Sequence, residues 1–309
     1  MENNKTLSII IPSYNEQDNI VRTFETIKEI LDQKEIPFEI IFVDDGSKDL
    51  TYMRIHTLSQ QYPEAKGLSF SRNFGKEAAI FAGLEAAAGA CCIIMDCDLQ
   101  HPPILLPQMY RLWEDGYEVV EGVKSSRGKE NPLHTLCAKS FYAIISNATG
   151  IDMSKASDFK LLDRKAVDAL LILPERAPFF RALSSWVGFK TTSIPFEVQE
   201  RTIGTSKWSV FSLFKYAVQN ITAFSGAPMQ FVTMMGWIMF IASIALGIHS
   251  LYKYFTGTAL EGFTTVILLQ LIIGSVLMIS LGIIGHYISR IYDEIKARPR
   301  YIVSKRCGC

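Results

Sequence analysis

Short apolar runs alternate with longer amphipathic segments through the first two hundred residues of the chain. Four of the runs are rich in β-branched residues and predict strands at Leu7 to Ile11, Glu39 to Val43, Gly67 to Phe70 and Cys92 to Met95. Between the first two runs, apolar residues recur at helical spacing at Ile20, Phe24, Ile27 and Leu31. Ala78 to Ala88 is rich in helix-forming residues. This alternation predicts an α/β fold with a mainly parallel sheet and helices on both faces.

Two long uncharged stretches follow this alternating part of the chain. No Asp, Glu, Lys or Arg occurs between Pro228 and Lys253, and none occurs between Glu261 and Arg290. Each stretch exceeds the roughly 20 residues that a helix needs to cross a hydrocarbon core about 30 Å thick. We therefore expect two membrane spans, at 231–252 and 262–289. An apolar helical hairpin inside a soluble domain is the alternative.

The spans divide the chain into four predicted parts. These are a globular domain at 1–206, an amphipathic helix at the membrane interface over 207–228, the two-span region 229–289, and a basic tail at 290–309. Basic residues crowd behind the second span, whereas Lys253 is nearly alone in the connector. This asymmetry predicts a multi-pass protein of the cytoplasmic membrane, with the globular domain and both termini in the cytoplasm. We expect the terminal Cys307-Gly308-Cys309 to be a frayed end.

Composition narrows the range of partners. The 309 residues include 31 basic and 31 acidic side chains, so no excess of charge favours nucleic acid, and we expect no such partner. The first apolar run is too short for a secretory signal, which agrees with a cytoplasmic domain. The six cysteines show no spacing typical of a metal quartet, and we assign these thiols no role.

Polar residues follow each of the four predicted strands. In chain order they are Ser13, Asn15 and Glu16; Asp44, Asp45 and Ser47; Ser71, Arg72 and Asn73; and Asp96 and Asp98. Ligands of parallel α/β sheets bind outside the carboxyl ends of the strands, so we expect these groups to share one site. Each cluster taken singly could instead be a helix cap or a turn.

Two acidic pairs stand out among these groups. Asp96 and Asp98 place two carboxylates together after an apolar strand, where hard oxygen ligands suit Mg²⁺ or Mn²⁺ bridging to a diphosphate. Turn aspartates are the alternative explanation. Asp44 and Asp45 could accept hydrogen bonds from a uracil or a ribose. Neither a GxxxxGK[ST] loop nor a GxGxxG fingerprint is present, which disfavours an ATPase or a dehydrogenase.

With these motifs in order, the chain resembles the family 2 glycosyltransferases of the GT-A fold. It is most similar to their polyprenyl-phosphate branch, the bactoprenol glucosyltransferases and dolichol-phosphate mannose synthases. The matching words are Ile11-Pro12-Ser13-Tyr14-Asn15-Glu16, Val43-Asp44-Asp45-Gly46-Ser47, Ser71-Arg72-Asn73-Phe74-Gly75-Lys76-Glu77, Asp96-Cys97-Asp98-Leu99-Gln100, Ser157-Asp158-Phe159-Lys160-Leu161 and Arg201-Thr202-Ile203-Gly204-Thr205-Ser206-Lys207-Trp208. With the spans and Arg298-Pro299-Arg300-Tyr301, the resemblance covers nearly the whole chain.

The resemblance implies a role for each matched residue. The residues that would hold the nucleotide are Pro12, Tyr14, Glu16 and Asp45. Asp96 would touch the donor, and Asp98 would bind the metal. Asp158 matches the position usually proposed as catalytic base, while Arg201 and Lys207 lie on a segment thought to close over the diphosphates. One departure is His101, which stands where the family commonly has an aspartate and makes the choice of donor less certain.

The role of Asp158 needs a physical qualification. An alcohol acceptor needs a base, but a phosphate monoester is already anionic near neutral pH because its second ionisation lies near pH 6. Alignment and charge neutralisation should therefore matter more than proton removal. Asp158 could instead position a cation or the sugar, and a helix-capping aspartate is the structural alternative.

Cations are expected to hold the donor diphosphate beside the acceptor phosphate, because like charges repel strongly at low effective dielectric. The candidates are Arg72, Lys76, Lys124, Arg127, Arg201 and Lys207. We place Arg72 and Lys76 with the donor nucleotide and Lys124 and Arg127 at the acceptor phosphate. Solvated surface charge is the alternative for Lys124 and Arg127.

These features together predict an inverting, metal-dependent transfer of a sugar, first of all glucose, from a UDP-sugar to polyprenyl (undecaprenyl) phosphate. UDP-N-acetylglucosamine and GDP-mannose are alternative donors. The other hypotheses are a processive polysaccharide synthase, a nucleotidyltransferase and a non-catalytic membrane scaffold with the same fold. The lipid bilayer is an expected partner, and a homo-oligomer through the spans is plausible by family analogy.

Overall fold

The computed structural model describes residues 5–126, 157–175, 178–197, 227–256 and 262–308. The chain divides into two compact units. The first comprises Met1–Val210 together with Arg298–Cys309, and the second comprises Phe211–Ala297. Each unit is described on its own below.

A mixed sheet forms the centre of the first unit. Its strands are β1 (Leu7–Ser13), β2 (Phe38–Asp44), β3 (Ala65–Phe70), β4 (Cys91–Ile94), β5 (Val119–Ser126), β6 (Lys160–Asp163), β7 (Thr191–Glu197) and β8 (Val303–Cys307). They are ordered β7-β5-β6-β4-β1-β2-β3-β8. The central strands β4, β1, β2 and β3 run parallel to one another. Antiparallel pairing joins β6 to β4 and to β5, and joins β8 to β3.

Helices cover the sheet and complete its core. They are α1 (Ile20–Asp32), α2 (Thr51–Gln61), α3 (Lys76–Ala86), α4 (Leu106–Glu114), α5 (Arg164–Ile172) and α6 (Phe180–Trp186). Every residue of β2 is buried, as expected for a parallel strand with helices on both faces. On one face the core joins α1 to the sheet through Phe24, Ile27 and Phe42. Gly83 of α3 lies so close to Ile10 that a Cβ atom there would be 2.3 Å from its side chain.

The predicted α/β fold is confirmed, and the four predicted strands are present with bounds that differ by one or two residues. The expectation of a frayed end is wrong for Cys307, which pairs opposite Gly67 in β8. Cys309 lies outside the described residues. β8 adopts extended structure because the open edge of β3 offers unpaired backbone groups.

Two long helices make up the described part of the second unit, α7 (Ala227–Phe255) and α8 (Phe263–Ile295). Within them, Met229–His249 and Ile272–Ile295 are long and apolar enough to cross a membrane. Their apolar side chains, such as Trp237, Phe240 and Leu277, are exposed. The predicted interfacial segment 207–228 lies outside the described residues except for its last two, which begin α7.

Candidate active site

Strand order brings the sequence motifs to one edge of the sheet. β1, β2, β3 and β4 are parallel, so the loops that follow them share the carboxyl edge. β6 runs antiparallel to β4, with Lys160 opposite Ile94. Asp158, which precedes β6, therefore lies at the same edge as Asp96, which follows β4.

Two cations and two carboxylates form a cluster at this edge, which we call the ion-pair cluster: Lys76, Asp96, Asp158 and Arg181. The Lys76 ammonium lies 2.6 Å from Asp96 Oδ1 and 2.8 Å from Asp158 Oδ2. Arg181 donates from Nε to Asp158 Oδ1 at 2.6 Å and from Nη2 to Oδ2 at 2.8 Å. Asp158 is buried, and its two bonds from the Arg181 guanidinium form the bidentate geometry that favours arginine.

The charges in the ion-pair cluster fix its protonation. Burial by itself would raise the pKa of Asp158, but Lys76 and Arg181 outweigh burial and hold it well below its usual value. Burial likewise opposes ionisation of Asp96, and the Lys76 charge lowers its pKa all the same. Both carboxyl groups are therefore ionised at neutral pH. A carboxylate with such a low pKa is a weak proton acceptor.

Glu77 follows Lys76 in α3, and its pKa is raised, whereas those of Asp96 and Asp158 are lowered. Its carboxylate accepts a hydrogen bond of 2.9 Å from the backbone N–H of Phe180, the first residue of α6. Burial, followed by the neighbouring Asp158 charge, raises the pKa of Glu77 to about 7. Glu77 thus ties α6, which carries Arg181, to α3, which carries Lys76.

A buried lysine of β6, Lys160, bonds to α6, the helix that carries Arg181. Lys160 is fully buried and lies 2.5 Å from Glu121 of β5. Its ammonium also donates to the Ser184 and Ser185 hydroxyls of α6, at 2.8 and 3.3 Å. Lys160 bonds to Ser184 and Ser185 and Asp158 bonds to Arg181, all on α6, so this contact helps to fix α6 where Arg181 meets Asp158.

The Asp96-Cys97-Asp98 triplet is anchored through its middle residue. The Cys97 side chain is buried, and its carbonyl accepts a hydrogen bond of 2.7 Å from Thr23 of α1. Asp98 is partly exposed and accepts a hydrogen bond of 3.1 Å from the Gln100 N–H. Leu99 then turns the chain in the left-handed region at φ 58°.

The donor set at this triplet suits a hard divalent cation that shares its coordination with a ligand. Asp96 and Asp98 supply carboxylate oxygens, the atoms that Mg²⁺ and Mn²⁺ prefer. Among the described residues no group of three or more His, Cys, Asp or Glu side chains could hold a metal by itself. Mg²⁺ is commonly bound by one or two carboxylates with phosphate oxygens completing its shell, so the residues fit a metal held jointly with a diphosphate.

His101, which stands where the family commonly has an aspartate, bonds to the backbone of Asp96. Its ring is buried and stacks on Phe159 with centroids 4.9 Å apart. Its Nδ1 accepts a hydrogen bond of 3.2 Å from the Asp96 N–H, so the ring proton is on Nε2. Burial lowers the pKa of His101, which keeps the ring neutral.

Asp44 and Asp45, the other acidic pair, bond to the protein itself. Asp44 accepts from the Ser47 N–H at 3.0 Å and from the Ser69 hydroxyl at 2.7 Å. Asp45 accepts from the N–H groups of Phe74 and Gly75, at 2.6 and 2.9 Å. Both carboxyl groups are buried, and they hold the loop after β2 and the loop after β3 in place. Their contact with a nucleotide stays a prediction.

Of the remaining predicted nucleotide contacts, Pro12 lies near the end of β1 and is half-buried. The others lie on the loop after β1. Asn15 adopts φ 53°, and its N–H donates to the Ser47 hydroxyl at 2.8 Å. Glu16 accepts from the Asn19 amide at 2.6 Å. The Tyr14 ring is exposed, so a planar ligand can reach it.

The predicted cations divide into three groups. Lys76 belongs to the ion-pair cluster, and Arg72 lies on the loop after β3 with its guanidinium 4.8 Å from the Phe74 ring. Lys124 is exposed on β5. Arg127, Arg201 and Lys207 lie outside the described residues, and their roles stay predictions.

The sequence analysis missed Arg181, although it makes two hydrogen bonds to Asp158, one of them the shortest that Asp158 receives. No motif marks it, but one signal was available. Arg181 lies between the buried residues Phe180 and Ala182, with Leu183 buried next in line. An arginine inside an apolar run is rarely buried unless it is paired, so a carboxylate partner could have been expected.

Comparison with known proteins shows which family this chain matches and which proteins it is similar to. The family described as Glycosyl transferase family 2 matches residues 8–171. An uncharacterized glycosyltransferase of Bacillus subtilis is 40% identical over 305 residues, covering 97% of this chain and 94% of its own. The prophage-derived bactoprenol glucosyl transferase of Shigella flexneri is 35% identical over 303 residues, covering 97% of each chain.

Among solved structures, the fold is similar to glucosyl-3-phosphoglycerate synthase of Mycobacterium tuberculosis in complex with Mn²⁺, UDP-glucose and phosphoglyceric acid. The TM-score is 0.53 at 18% identity, and the match covers 70% of this chain and 77% of that one. This likeness concerns the fold alone. The curated relatives, in contrast, match along almost the entire length, including both apolar helices.

Proposed function

Because the chain belongs to glycosyl transferase family 2 and is a glycosyltransferase, we propose that it transfers a sugar from a UDP-sugar to the phosphate of a polyprenyl lipid carrier. Glucose from UDP-glucose is the first choice of donor, in keeping with relatives named bactoprenol glucosyl transferase. The observation that carries the proposal is the ion-pair cluster beside Asp98 in a chain that also has two membrane-length helices.

The proposed reaction is a single displacement with inversion at the anomeric carbon. An oxygen of the lipid phosphate forms a bond to that carbon while the bond to the UDP oxygen breaks, and UDP leaves with the electron pair. An α-linked donor thus gives a β-linked lipid-phosphate sugar. The phosphate monoester needs no base near neutral pH, because its second ionisation lies near pH 6. The low pKa of Asp158 agrees with a reaction that uses no strong base.

Asp158 then has a different task, which is to hold two cations at the edge of the sheet. Its oxygens accept hydrogen bonds from Lys76 and Arg181, and Lys76 also forms an ion pair with Asp96. We assign Lys76 and Arg181 to the phosphates, where their charges offset the repulsion between the donor diphosphate and the acceptor phosphate. Preorganised charges cost no reorganisation when the bond forms, which is the usual source of such catalysis.

Asp98, with Asp96 beside it, would hold Mg²⁺ or Mn²⁺ against the donor diphosphate. The metal, when bound, supplies neutralisation of the charge that builds on the leaving UDP. His101 acts on this site through the backbone, because its Nδ1 receives the Asp96 N–H. We therefore give His101 a positioning role and expect donor choice to depend on other contacts.

The connectivity of the chain supports membrane attachment through a hairpin. Residues before 210 and after 298 belong to one folded unit, and β8 pairs with β3 in its sheet. A chain that leaves a folded unit and returns to it crosses a bilayer an even number of times. Two spans meet this requirement, and the basic residues in the last turns of α8 and just after it, such as Arg290 and Lys296, favour the cytoplasm for that side.

A donor panel tests the proposal. The purified full chain in liposomes containing undecaprenyl phosphate is given UDP-glucose, UDP-N-acetylglucosamine or GDP-mannose, each labelled in the sugar. We expect label in the lipid fraction with UDP-glucose and release of UDP, not pyrophosphate. Transfer from none of the three donors would contradict the proposal, and pyrophosphate release would indicate a nucleotidyltransferase. Binding of UDP-glucose without turnover would indicate the non-catalytic scaffold.

A further inference from the structure

The segment that follows the second apolar helix returns to the first unit and lies along the edge of its sheet. We call residues 300–307 the C-terminal strap. In β8, Arg306 pairs opposite Leu68 and Lys305 opposite Ser69, and a shift in register then sets Val303 opposite Phe70. The strap therefore extends to the carboxyl end of β3, the end at which the candidate active site lies.

The strap begins with an anchoring arginine. Arg300 Nε donates to the Glu175 carbonyl at 2.9 Å, and its Nη2 donates to the Leu173 carbonyl at the end of α5. Its guanidinium also lies over the Phe81 ring of α3, 4.9 Å from the centroid. Carbonyls and an aromatic face are both suited to a guanidinium, so Arg300 fixes where the strap enters the unit.

An aromatic series connects the strap to the loop after β3, residues 71–75, which we call the donor loop. The Tyr301 ring stacks on Phe70 with centroids 5.0 Å apart and an interplanar angle of 11°. Phe70 meets Phe74 edge to face at 5.8 Å, and Phe74 lies under the Arg72 guanidinium. In addition, the Ser71 N–H donates to the Ile302 carbonyl at 3.0 Å.

The donor loop is thus held from two sides. Asp45 receives the N–H groups of Phe74 and Gly75 from the β2 side, and the strap supports Ser71 and Phe74 from the outer edge. The Tyr301 hydroxyl also donates to Glu85 of α3, a contact separate from the stacking of its ring on Phe70. Without the strap, the outer edge of β3 and the base of the donor loop would lose these contacts.

We propose that the C-terminal strap is a positioning element for donor binding, with Tyr301 as the residue that sets the donor loop and Arg72 through Phe70 and Phe74. The inference rests on the proposed function, because it assigns the donor loop to the UDP-sugar. It gives the chain beyond the second apolar helix a task in the transferase site. Tyr301 touches no reacting atom in this account and acts only through its aromatic neighbours.

The test compares three substitutions of Tyr301 in the full chain. Tyr301→Phe keeps the stack and loses the hydroxyl, Tyr301→Leu keeps apolar volume without a ring, and Tyr301→Ala removes both. Lys305→Ala is the matched control, since Lys305 lies in the same strap but contacts the Tyr52 ring at 5.2 Å, away from the donor loop. UDP affinity, donor KM, kcat and melting temperature are measured for each.

We expect Tyr301→Ala and Tyr301→Leu to raise the Kd for UDP and the donor KM about fivefold, as loss of an aromatic contact would. The kcat at saturating donor should change less than twofold. Tyr301→Phe and Lys305→Ala should bind UDP like the unsubstituted chain. If Tyr301→Ala does not fold, the pair Tyr301→Leu and Tyr301→Phe decides the question.

A merely structural strap would give another pattern. In that case Tyr301→Leu would lower the melting temperature while the Kd for UDP and the donor KM stayed at their original values, and the inference would be overturned. If the unsubstituted chain itself bound no UDP, the proposed function would fail and the inference with it. The two failures are therefore distinguishable in one series of measurements.

Hydrogen exchange supplies a readout that needs no donor. The Phe74 and Gly75 amides are bonded to Asp45, and their exchange reports on the order of the donor loop. Tyr301→Leu should accelerate exchange at these amides several-fold, whereas Tyr301→Phe should leave their exchange rates unchanged. Equal exchange in all three chains would contradict the aromatic connection.

Discussion

Two acidic pairs lie at the carboxyl edge of the same sheet and are used differently. Asp44 and Asp45 follow β2, are buried, and accept hydrogen bonds from backbone amides and a serine hydroxyl. Asp96 and Asp98 follow β4 and are partly exposed, and Asp96 forms an ion pair with Lys76. The difference shows that an acidic pair after a strand does not by itself indicate a ligand site. Its hydrogen-bond partners and its exposure decide what it does.

We therefore propose that the first pair shapes loops and that the second pair takes part in ligand chemistry. Asp158 belongs with the second pair, because Lys76 joins it to Asp96. Substitutions in the two groups should therefore have separable effects. Those in the first should act on loop order and donor affinity, and those in the second on the rate of transfer.

The largest effect is expected at Asp98. Asp98→Ala should lower kcat/KM about a thousandfold or more, because a metal contributes several kcal/mol and each 1.36 kcal/mol is tenfold in rate. EDTA should reduce transfer by the original chain to a similar level. Transfer is measured as labelled sugar in the lipid fraction. Asp115→Ala, at an exposed aspartate before β5, is the control and should keep full activity. Equal transfer in EDTA would remove the metal from the account.

Asp158→Asn should reduce kcat/KM about a hundredfold and lower the melting temperature, because removing one partner of a buried ion pair leaves charge uncompensated. The shape of the pH profile is the sharper readout. Its acid limb should stay near pH 6, where the acceptor phosphate ionises. The pKa of Asp158 lies well below its usual value, so Asp158 does not produce that limb.

Asp163→Asn is the matched control for this substitution. Asp163 ends β6, the strand that Asp158 precedes, accepts from Trp113 Nε1 at 2.7 Å and caps α5. Its replacement should affect stability alone. Disappearance of the acid limb in Asp158→Asn, with the limb intact in Asp163→Asn, would show that Asp158 is a base after all.

Asp45→Asn tests the other half of the comparison and should have a smaller effect. The amide oxygen keeps one acceptor for the Phe74 or Gly75 N–H, while the second bond and the charge are lost. We expect the Kd for UDP to rise about fivefold to tenfold and kcat at saturating donor to fall less than threefold. Calorimetric titration with UDP measures the first quantity. A collapse of kcat with unchanged Kd would put Asp45 in the chemistry of transfer.

The smallest effect on activity is expected at Glu77, where the readout is stability against pH. The pKa of Glu77 in the folded chain is about 7, above the roughly 4.3 of an unfolded chain. The folded state thus holds the proton more tightly, and this contribution is fully present at low pH and is lost as pH rises through about 7.

Glu77→Gln stays neutral and can still accept the Phe180 N–H. Its melting temperature should therefore fall less between pH 5 and pH 8 than that of the original chain, by roughly 3 °C. Activity at pH 7 should change less than twofold. If the melting temperatures of the two chains fell equally between pH 5 and pH 8, the raised pKa of Glu77 would be contradicted.

Much of the fold was accessible from local patterns. β1, β2 and β4 are mainly apolar runs, and their buried positions follow from parallel pairing between helices. β5, β6 and β7 were not predicted. In β7 only Ile194 and Phe196 are buried, with Pro195 between them, which gives a weak strand pattern, and the four-residue β6 is too short to stand out. β8 is polar and takes its conformation from the edge of β3, which depends on contacts distant in sequence.

The sequence predicted only part of the candidate site. The carboxyl edge and the roles suggested by its acids followed from motif order, whereas their hydrogen-bond partners required the fold. Asp158 meets Arg181 only because α6 returns to the sheet, and Tyr301 meets Phe70 only because the chain comes back after two apolar helices. Such contacts leave no periodic pattern.

The most direct test of the central claim is the structure and yield of the lipid product. The full chain in undecaprenyl phosphate liposomes is incubated with UDP-glucose, UDP is quantified, and the lipid is analysed by NMR at its anomeric carbon. The account predicts one UDP released for each glucose in the lipid, joined to phosphate in the β configuration. An α-linked product, or UDP released with free glucose and no glycolipid, would contradict it.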